Sequence, residues 1–533
     1  MHDPSALRTK PGKLLKEPLL SRSSQSYQQA RPAPPQVKLK KSSSSMVSAR
    51  QLSSSYFHGA ASKLTAAARA GAEARANLGM RRAPSLVPEE AAAATALVQP
   101  SGGPSWIEAS MTIANTLIGA GVLGLPYALK NAGWAGILVM LCATAITCFT
   151  AKALIWSFLA LNASRKPGSP TIESYDALAE AALGAAGGAT MKVLTILECY
   201  GLGICYIVLH TTNWPALFSL PAYEPIVAGL NARTVATLVV SVLVLPTLLV
   251  RSTYLSSLSI VGLTSTCAMF LVAVVAPLMA HLPADDGSSC PAVGTASAAE
   301  STATMGRTIF EPSGLGIATG ISLFAFSGHA TFPELYCSMA PAERPHFFKA
   351  CDLGFLFAGG FYATFAAIGY FFYGECAADT LTLNLMHASP VLGSIATLLV
   401  LTSSFVTFSV VCVPVVRILG EAFHISNGAD DADASSSRPG LMQPLSAAQF
   451  SLRLGLVAVA FVVAVAVPNF GFVVSLMGAF TTMLVSFILP VAFYLYACRA
   501  TLGPLAVGAN ALIIVVGFVG MLVGVQSTLA SQM

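Results

Sequence analysis

The chain has 533 residues, of which 55% are hydrophobic and only 10% are charged. A soluble globular protein carries about 25% charged residues, so this composition excludes an ordinary soluble domain. The formal net charge of +5 is small, and no basic face or nucleic-acid motif occurs in the sequence. The expected surroundings are therefore a lipid bilayer, and nucleic acid is not an expected partner.

Residues 1–104 differ in composition from the rest of the chain. They contain fifteen of the 29 Lys and Arg residues, scattered among Ser, Ala, Pro and Gln. Such a segment cannot bury enough apolar surface to offset the entropy lost on ordering. We therefore predict a disordered, Ser-rich and basic N-terminal tail, followed by a transmembrane domain over residues 105–530.

Apolar stretches of about 20 residues, long enough to cross the hydrocarbon core of a bilayer, recur after the tail. They predict an all-α integral membrane protein with about eleven transmembrane helices. The predicted spans, numbered 1 to 11 in chain order, are 106–130, 133–161, 189–218, 233–250, 254–282, 313–338, 350–373, 389–416, 451–467, 470–496 and 503–526.

The orientation of these spans is predicted from their Lys and Arg residues. With the tail on the inner side, eleven further Lys and Arg residues fall inside, and three fall outside: Lys130, Arg233 and Arg307. Basic residues are enriched on the cytosolic side of membrane proteins. The N-terminus is therefore predicted to be cytosolic, and the odd number of spans places the C-terminus in the lumen.

Span 1 contains residues that interrupt helices. The stretch NTLIGAGVLGLPYALKNAGW, residues 115–134, has three glycines and Pro126 within eight residues, from Gly119 onward. Broken backbone is tolerated at membrane depth only beside protein or a water-filled cavity. The pattern therefore predicts an interrupted helix. The alternative is a small-residue surface for helix packing.

Span 6 contains a second interruption. Its sequence GLGIATGISLFAFSGHATFPELYCSM has Ser327, Gly328 and His329 at mid-span, followed by Pro333. Spans 1 and 6 are five apart, as expected if spans 1–5 and 6–10 form two inverted repeats with one extra helix. Interrupted helices at matching positions of two repeats are typical of a transporter's binding site. Helix packing alone would not require a matching proline in each half.

These motifs resemble those of a known family. NTLIGAGVLGLPYALKNAGW resembles the first span of the amino acid/auxin permease family. FAFSGHATFPELYCSM is similar to the sixth span of that family's vacuolar amino-acid transporters of plants and fungi, which are relatives of the vesicular inhibitory amino-acid transporter. GYFFYGECAADTLTLNL, from Gly369, also resembles theirs. ECYGLGICYIVLH, from Glu198, does so in part, because Cys205 and His210 stand where the relatives often carry acids.

The resemblance implies a LeuT-like fold and proton-coupled transport of neutral amino acids by alternating access, in the membrane of a vacuole or another acidic organelle. Backbone N–H groups of span 1 would bind the substrate's carboxylate, and backbone carbonyls of span 6 would bind its ammonium group. The expected substrate-binding residues are Asn115, Thr116, Gly119, Ala120, Gly121, Phe326, Ser327 and Gly328.

Two residues are candidates for proton coupling. His329 lies in the span 6 interruption, and its unperturbed pKa of about 6.5 lies between cytosolic pH and that of an acidic lumen. Glu198 lies near the middle of span 3, where a carboxyl group is costly and by default a functional candidate. The alternatives are a neutral His329 that hydrogen-bonds the unwound backbone and a Glu198 that hydrogen-bonds a neighbouring helix.

Thr407 in span 8 is the candidate for an ion site beside span 1, on the strength of the resemblance. The alternative is an ordinary hydrogen bond from its hydroxyl to the backbone of its own helix. No cysteine and histidine cluster with metal-ligand spacing and no nucleophile motif occurs, so neither an enzyme nor a cofactor is expected. Two other functions stay open: a sodium-coupled importer of the plasma membrane, and a sensor that binds amino acid without transporting it.

Cys290 and Cys376 are the two cysteines that the predicted topology places in outward loops. A disulfide between them is a candidate, since that side is oxidising if it faces the cell exterior. Two free thiols are the alternative, because sequence gives no Cα separation. Thiol labelling of the intact, unreduced protein tests the pair: a disulfide leaves both cysteines unlabelled until a reductant is added, and ready labelling of both excludes the bond.

Overall fold

The computed structural model describes residues 103–166, 168–220, 224–227, 229–249, 252–280, 306–425, 446–467 and 469–532. The predicted tail, apart from residues 103 and 104, lies outside the described residues, as does Cys290. Most of the described chain is helical. A short antiparallel pair of strands, β1 (Pro225–Val227) and β2 (Leu230–Asn231), stands between two of the helices.

In the described residues, the first eight helices are α1 (Trp106–Leu117), α2 (Leu125–Ala132), α3 (Gly136–Ala163), α4 (Tyr175–Leu217), α5 (Ala232–Val244), α6 (Ser252–Ala280), α7 (Leu315–Ala325) and α8 (Phe332–Ser338). The others are α9 (Phe347–Tyr373), α10 (Leu381–Ala388), α11 (Pro390–Ala422), α12 (Ala447–Ala466), α13 (Phe470–Met477), α14 (Leu489–Cys498) and α15 (Pro504–Ala530). A π-helix, Gly478–Ile488, connects α13 to α14.

Within the described residues, nine continuous helical stretches are long and apolar enough to cross a membrane. Large apolar side chains are exposed along them, for example Leu512, Val519 and Leu522 on α15. A surface of this kind suits contact with lipid tails rather than with water. The protein is therefore an all-α membrane protein.

Both predicted interruptions are confirmed. Helix α1 ends at Leu117, and after Gly119 the chain makes a short 3₁₀ turn, Ala120–Gly124, before α2 begins. Helix α7 ends at Ala325, and a 3₁₀ turn, His329–Thr331, precedes α8. The two prolines lie in the first turns of α2 and α8, where a helix needs no N–H from them. They therefore start the second half of each interrupted helix.

Helix α4 extends beyond the predicted span 3, which starts at residue 189. Helix α4 begins at Tyr175, because the Ser174 side chain caps it by accepting a hydrogen bond from the backbone N–H of Ala177. Gly184 lies inside this helix with φ 75° and ψ −172°, so the backbone kinks there. Hydropathy located only the part after the kink, since the first turns are too rich in alanine and charge to read as a span.

Helix α7 packs closely against the π-helix. A Cβ atom added at Gly478 would lie 1.8 Å from the carbonyl oxygen of Gly320, and one added at Gly320 would lie 2.4 Å from the carbonyl oxygen of Ser475. The two backbones are therefore in direct contact. Small residues permit such an approach between membrane helices. This contact fixes the first half of one interrupted helix against the segment that carries Ser486.

We predict that Gly478→Ala destabilises the protein, because the new methyl group would overlap a backbone oxygen that cannot rotate away. Overpacking of this kind costs about 1–3 kcal/mol or more. Thermal unfolding of the purified protein in detergent measures the effect. Gly508→Ala on α15 is the matched control, since a Cβ there meets no atom within 4 Å. Equal unfolding midpoints for the two variants would contradict the backbone contact.

Candidate site at the two helix breaks

The two interruptions lie against each other. A Cβ atom at Gly121 would lie 3.1 Å from Cδ1 of Phe324 and 3.3 Å from the Cα of Ala325. A Cβ atom at Gly328 would lie 3.0 Å from Cγ2 of Thr116. The structure therefore brings together the residues that the sequence predicted in spans 1 and 6, and it leaves no room for larger side chains at either glycine.

Tyr362 of α9 joins the two broken helices. Its hydroxyl lies within hydrogen-bond distance of the carbonyl oxygen of Leu117 and 2.8 Å from that of Ala325. These are the last residues of α1 and α7. Carbonyl groups at a helix end lack a partner within the helix, and in a membrane they must find another donor. One buried hydroxyl, with a single hydrogen to donate, faces both ends.

Glu198 contacts the second interruption. The Ser327 hydroxyl donates a hydrogen bond of 2.7 Å to Oε1 of Glu198, and the Ser486 hydroxyl lies 3.5 Å from the same oxygen. The Glu198 side chain is only 4% exposed, and its Oε2 has no hydrogen-bond partner among the described residues. A hydroxyl can donate to a carboxylate or accept from a carboxylic acid. These contacts therefore accommodate either protonation state.

His329 does not meet Glu198 directly. Its Nε2 lies 3.1 Å from the carbonyl oxygen of Thr147 and 3.0 Å from Oγ1 of Thr150. A carbonyl oxygen only accepts, so Nε2 is assigned the hydrogen. Nδ1 is buried and has no partner among the described residues, so a charged ring would have a second N–H without an acceptor. This geometry fits a neutral His329 that holds the backbone of α3.

A chain of polar contacts nevertheless connects the two groups. The Thr150 hydroxyl beside His329 donates a hydrogen bond of 2.6 Å to the carbonyl oxygen of Ser486. The hydroxyl of Ser486 in turn faces Glu198. Ser486 lies in the π-helix, a rare conformation that is frequent at functional sites. The site thus combines residues of α3, α4, the π-helix and the break between α7 and α8.

His210 is fixed in a neutral form by its neighbours. The indole Nε1 of Trp214 can only donate, and it donates to Nδ1 of His210 at 3.1 Å. Nε2 therefore carries the hydrogen and lies 3.0 Å from the hydroxyl of Ser404. This histidine stands where the resemblance expected an acid, and here it connects α4 to α11. Glu198 is the acidic residue of α4 that contacts the break.

Thr407 makes the ordinary hydrogen bond within its own helix, since its hydroxyl donates to the carbonyl oxygen of Ser403 at 2.8 Å. A small cavity lies beside Gly119, and its polar lining residues are Thr266, Ser403 and Ser404. Thr407 lies one turn further along α11 and does not line this cavity. The ion site at Thr407 stays a prediction, and its neighbours Ser403 and Ser404 line the cavity instead.

The other predicted site residues lie around the break. The hydroxyl of the exposed Thr116 donates to the carbonyl oxygen of Thr112 at 2.8 Å, and Asn115 beside it is half-buried. Ala120 lies in the 3₁₀ turn. The ring of Phe326 is buried, with its centroid 5.2 Å from that of Tyr362.

Cys376, at the end of a short turn after α9, is disulfide-bonded. Its pairing with Cys290 stays a prediction, because Cys290 lies outside the described residues.

Sequence reasoning missed three residues that shape the site: Thr150, Tyr362 and Ser486. Each lies inside a long apolar stretch and is chemically ordinary, so nothing local distinguishes it. Polar residues inside predicted spans are the one signal that would have selected them, because such groups usually face other helices rather than lipid. That signal selects candidate residues, but it does not show which residues they contact.

Comparison with known proteins decides the family. The family model described as transmembrane amino acid transporter protein matches residues 102–530. The chain belongs to this family. Its members are transporters rather than enzymes, in agreement with the expectation from sequence.

Several proteins of Arabidopsis thaliana are similar to this chain. Amino acid transporter AVT1B is 30% identical over 433 residues, which cover 81% of this chain and 72% of the relative. Amino acid transporter AVT1D is 28% identical over 426 residues, covering 79% and 69%. Amino acid transporter AVT3A is 25% identical over 407 residues, covering 75% and 84%. The similarity thus extends over most of each transporter.

We predict that Gly121→Val abolishes amino-acid flux and leaves the transporter in the membrane. The branched side chain would enter the space occupied by Phe324 and Ala325 and would restrict a non-helical backbone. Uptake of labelled amino acids into proteoliposomes, at equal amounts of inserted protein, measures the effect. Gly360→Val on α9 is the control, because a Cβ there meets nothing within 4 Å. Normal flux in Gly121→Val would show that the break at Gly121 is not part of the substrate-binding site.

Proposed function

We propose that the protein is a secondary active transporter of neutral amino acids, coupled to protons, in the membrane of a vacuole or another acidic organelle. The observation that carries this proposal is the contact between two interrupted helices beside a buried carboxyl group. Because the chain belongs to a transporter family, this contact is interpreted as a substrate site. The names of the Arabidopsis relatives support amino acids as the substrate class.

The proposed arrangement has eleven crossings, of which the first ten form two inverted repeats of the LeuT type. Helix occurs in all eleven apolar segments, and the two interruptions are five segments apart. The distribution of Lys and Arg supports a cytosolic N-terminus and a luminal C-terminus. Within this arrangement, the two breaks lie near the middle of the bilayer, where such transporters bind their substrates.

The backbone of the two breaks forms the proposed substrate site. N–H groups at Gly119–Gly121 bind the carboxylate, and carbonyl groups at Phe326–Gly328 bind the ammonium group. Asn115 and Thr116 add side-chain contacts. Neither break contains Lys or Arg, so the negative side chain of an acidic amino acid would find no opposite charge there. This favours neutral substrates.

Glu198 is the proposed proton carrier. Its hydroxyl partners on Ser327 and Ser486 suit both the carboxylate and the carboxylic acid. The carbonyl group of Ser327 is also part of the proposed ammonium site, so substrate binding and protonation act on the same residue. His329 is the second candidate, and its contacts favour a structural role because Nδ1 has no acceptor among the described residues.

Polar contacts support a moving unit built from α1, α3, α7 and α9. Tyr362 links α9 to α1 and α7, and His329 links the break after α7 to α3. Lys152 of α3 forms an ion pair with Asp352 of α9. In the proposed alternating-access cycle, this unit rocks against the other helices and exposes the break to one side of the membrane at a time.

We predict that Glu198→Gln still exchanges labelled amino acid across a proteoliposome membrane but loses accumulation driven by a pH gradient of either sign. Glutamine keeps hydrogen bonding to Ser327 but carries no transferable proton. His329→Gln is the matched comparison, and its accumulation should follow the gradient as the parent protein does. If His329→Gln loses accumulation and Glu198→Gln does not, His329 rather than Glu198 is the proton carrier.

The same preparation distinguishes the two other functions. Uptake that requires sodium rather than a pH gradient would indicate the sodium-coupled importer. Saturable binding of amino acid without flux would indicate the sensor. A panel of labelled amino acids, tested with each gradient in turn, also identifies the substrate.

A further inference from the structure

Two helix ends of the same polarity converge on one point. Helices α1 and α7 end at Leu117 and Ala325, and both terminal carbonyl oxygens face the hydroxyl of Tyr362. A helix C-terminus carries a partial negative charge of about half an elementary charge. Two such ends in one buried place create a region of negative potential. Carbonyl oxygens at half-helix ends in transporters are ligands for small cations.

The Tyr362 hydroxyl occupies this place with a single hydrogen. The residue is fully buried, and the rings of Phe326 and Phe361 lie beside it, with centroids 5.2 Å and 6.3 Å away. A hydroxyl can donate to one carbonyl at a time. The O–H group therefore supplies the positive end of a dipole where two carbonyl groups would otherwise attract a positive ion.

We propose that the Tyr362 hydroxyl takes the place of a bound monovalent cation between the ends of α1 and α7, and that removing it creates a sodium site. This proposal explains why the transporter needs no sodium, and in that respect it rests on the proposed function of proton-coupled transport. Tyr362 acts here as a positioning residue, because it holds the two half-helices together without carrying charge through the transport cycle.

The change that tests this is Tyr362→Phe. It removes one oxygen atom and leaves the carbonyl groups of Leu117 and Ala325 facing a small empty space without a donor. Carbonyl oxygens at half-helix C-terminal ends coordinate Na⁺ in transporters. A substrate carboxylate bound at the proposed site would be a further oxygen ligand. Occupation of the space by sodium would restore the link between the two helix ends.

The matched control is Tyr370→Phe. Tyr370 lies two turns further along the same helix and is also buried. Its hydroxyl donates a hydrogen bond of 2.9 Å to Oε1 of Glu375 and accepts one of 2.9 Å from the backbone N–H of Thr308. Its hydrogen-bond partners lie in neither helix break, so its loss removes partly buried hydrogen bonds of α9 without opening the proposed cation site. Parent, Tyr362→Phe and Tyr370→Phe proteins are purified in sodium chloride and, separately, in choline chloride.

Thermal unfolding is measured first, because it requires no knowledge of the substrate. Sodium should raise the unfolding midpoint of Tyr362→Phe relative to choline and should leave the midpoints of the parent and Tyr370→Phe unchanged. Uptake of the labelled amino acids that the parent carries is measured next. Tyr362→Phe should lose about tenfold or more of its kcat/KM in choline, since a buried carbonyl is left without a donor, and sodium should recover most of it.

Each result decides the proposal. A midpoint and an uptake rate of Tyr362→Phe that are the same in both salts would overturn it, as would sodium dependence of the parent protein. A Tyr362→Phe protein that folds in sodium alone supports it, and one that folds in neither salt overturns it, because sodium then does not replace the hydroxyl. If the parent carries no amino acid, the proposed function fails, while thermal unfolding still decides the role of Tyr362.

Discussion

Interrupting a helix within a membrane frees carbonyl groups that have no water to bind, and the rest of this structure depends on how that constraint is met. Tyr362 places one hydroxyl against the ends of both broken helices. This requires α9 to lie against α1 and α7 at the same depth. It also requires the two breaks to be at one level. The unwound backbone that makes a binding site possible is thus stabilised from a third helix.

The π-helix meets the same constraint, because side chains of neighbouring helices donate hydrogen bonds to its backbone carbonyl groups. The π-helix directs the carbonyl oxygen of Ser486 toward the hydroxyl of Thr150, while that of Val485 accepts a 2.9 Å hydrogen bond from Tyr175. Irregular backbone therefore obtains donors from α3 and α4. The Ser486 hydroxyl is then free to face Glu198. Irregularity in one helix positions a polar group for another.

The sequence predicted the features that local chemistry determines. Gly119, Gly121 and Gly328 marked the breaks, and Pro126 and Pro333 marked where helices restart, because these residues change backbone preference at their own positions. Tyr362 was beyond such reasoning, because its partner Leu117 is 245 residues away in the chain. Ser486 was equally hidden, since a serine in an apolar span gives no sign of π geometry. Hydropathy located only the part of α4 after the kink at Gly184, because a serine cap rather than apolarity begins the helix.

The π-helix also affects how experiments on this segment are read. Its i→i+5 hydrogen bonds give a smaller rotation per residue than the roughly 100° of an α-helix. Over the eleven residues of Gly478–Ile488, the faces assigned by a regular helical wheel drift out of phase with the real ones. A cysteine scan of residues 470–498 therefore needs two angular frames, one on each side of the segment. A single frame would assign lipid-facing positions of α14 to the protein interior.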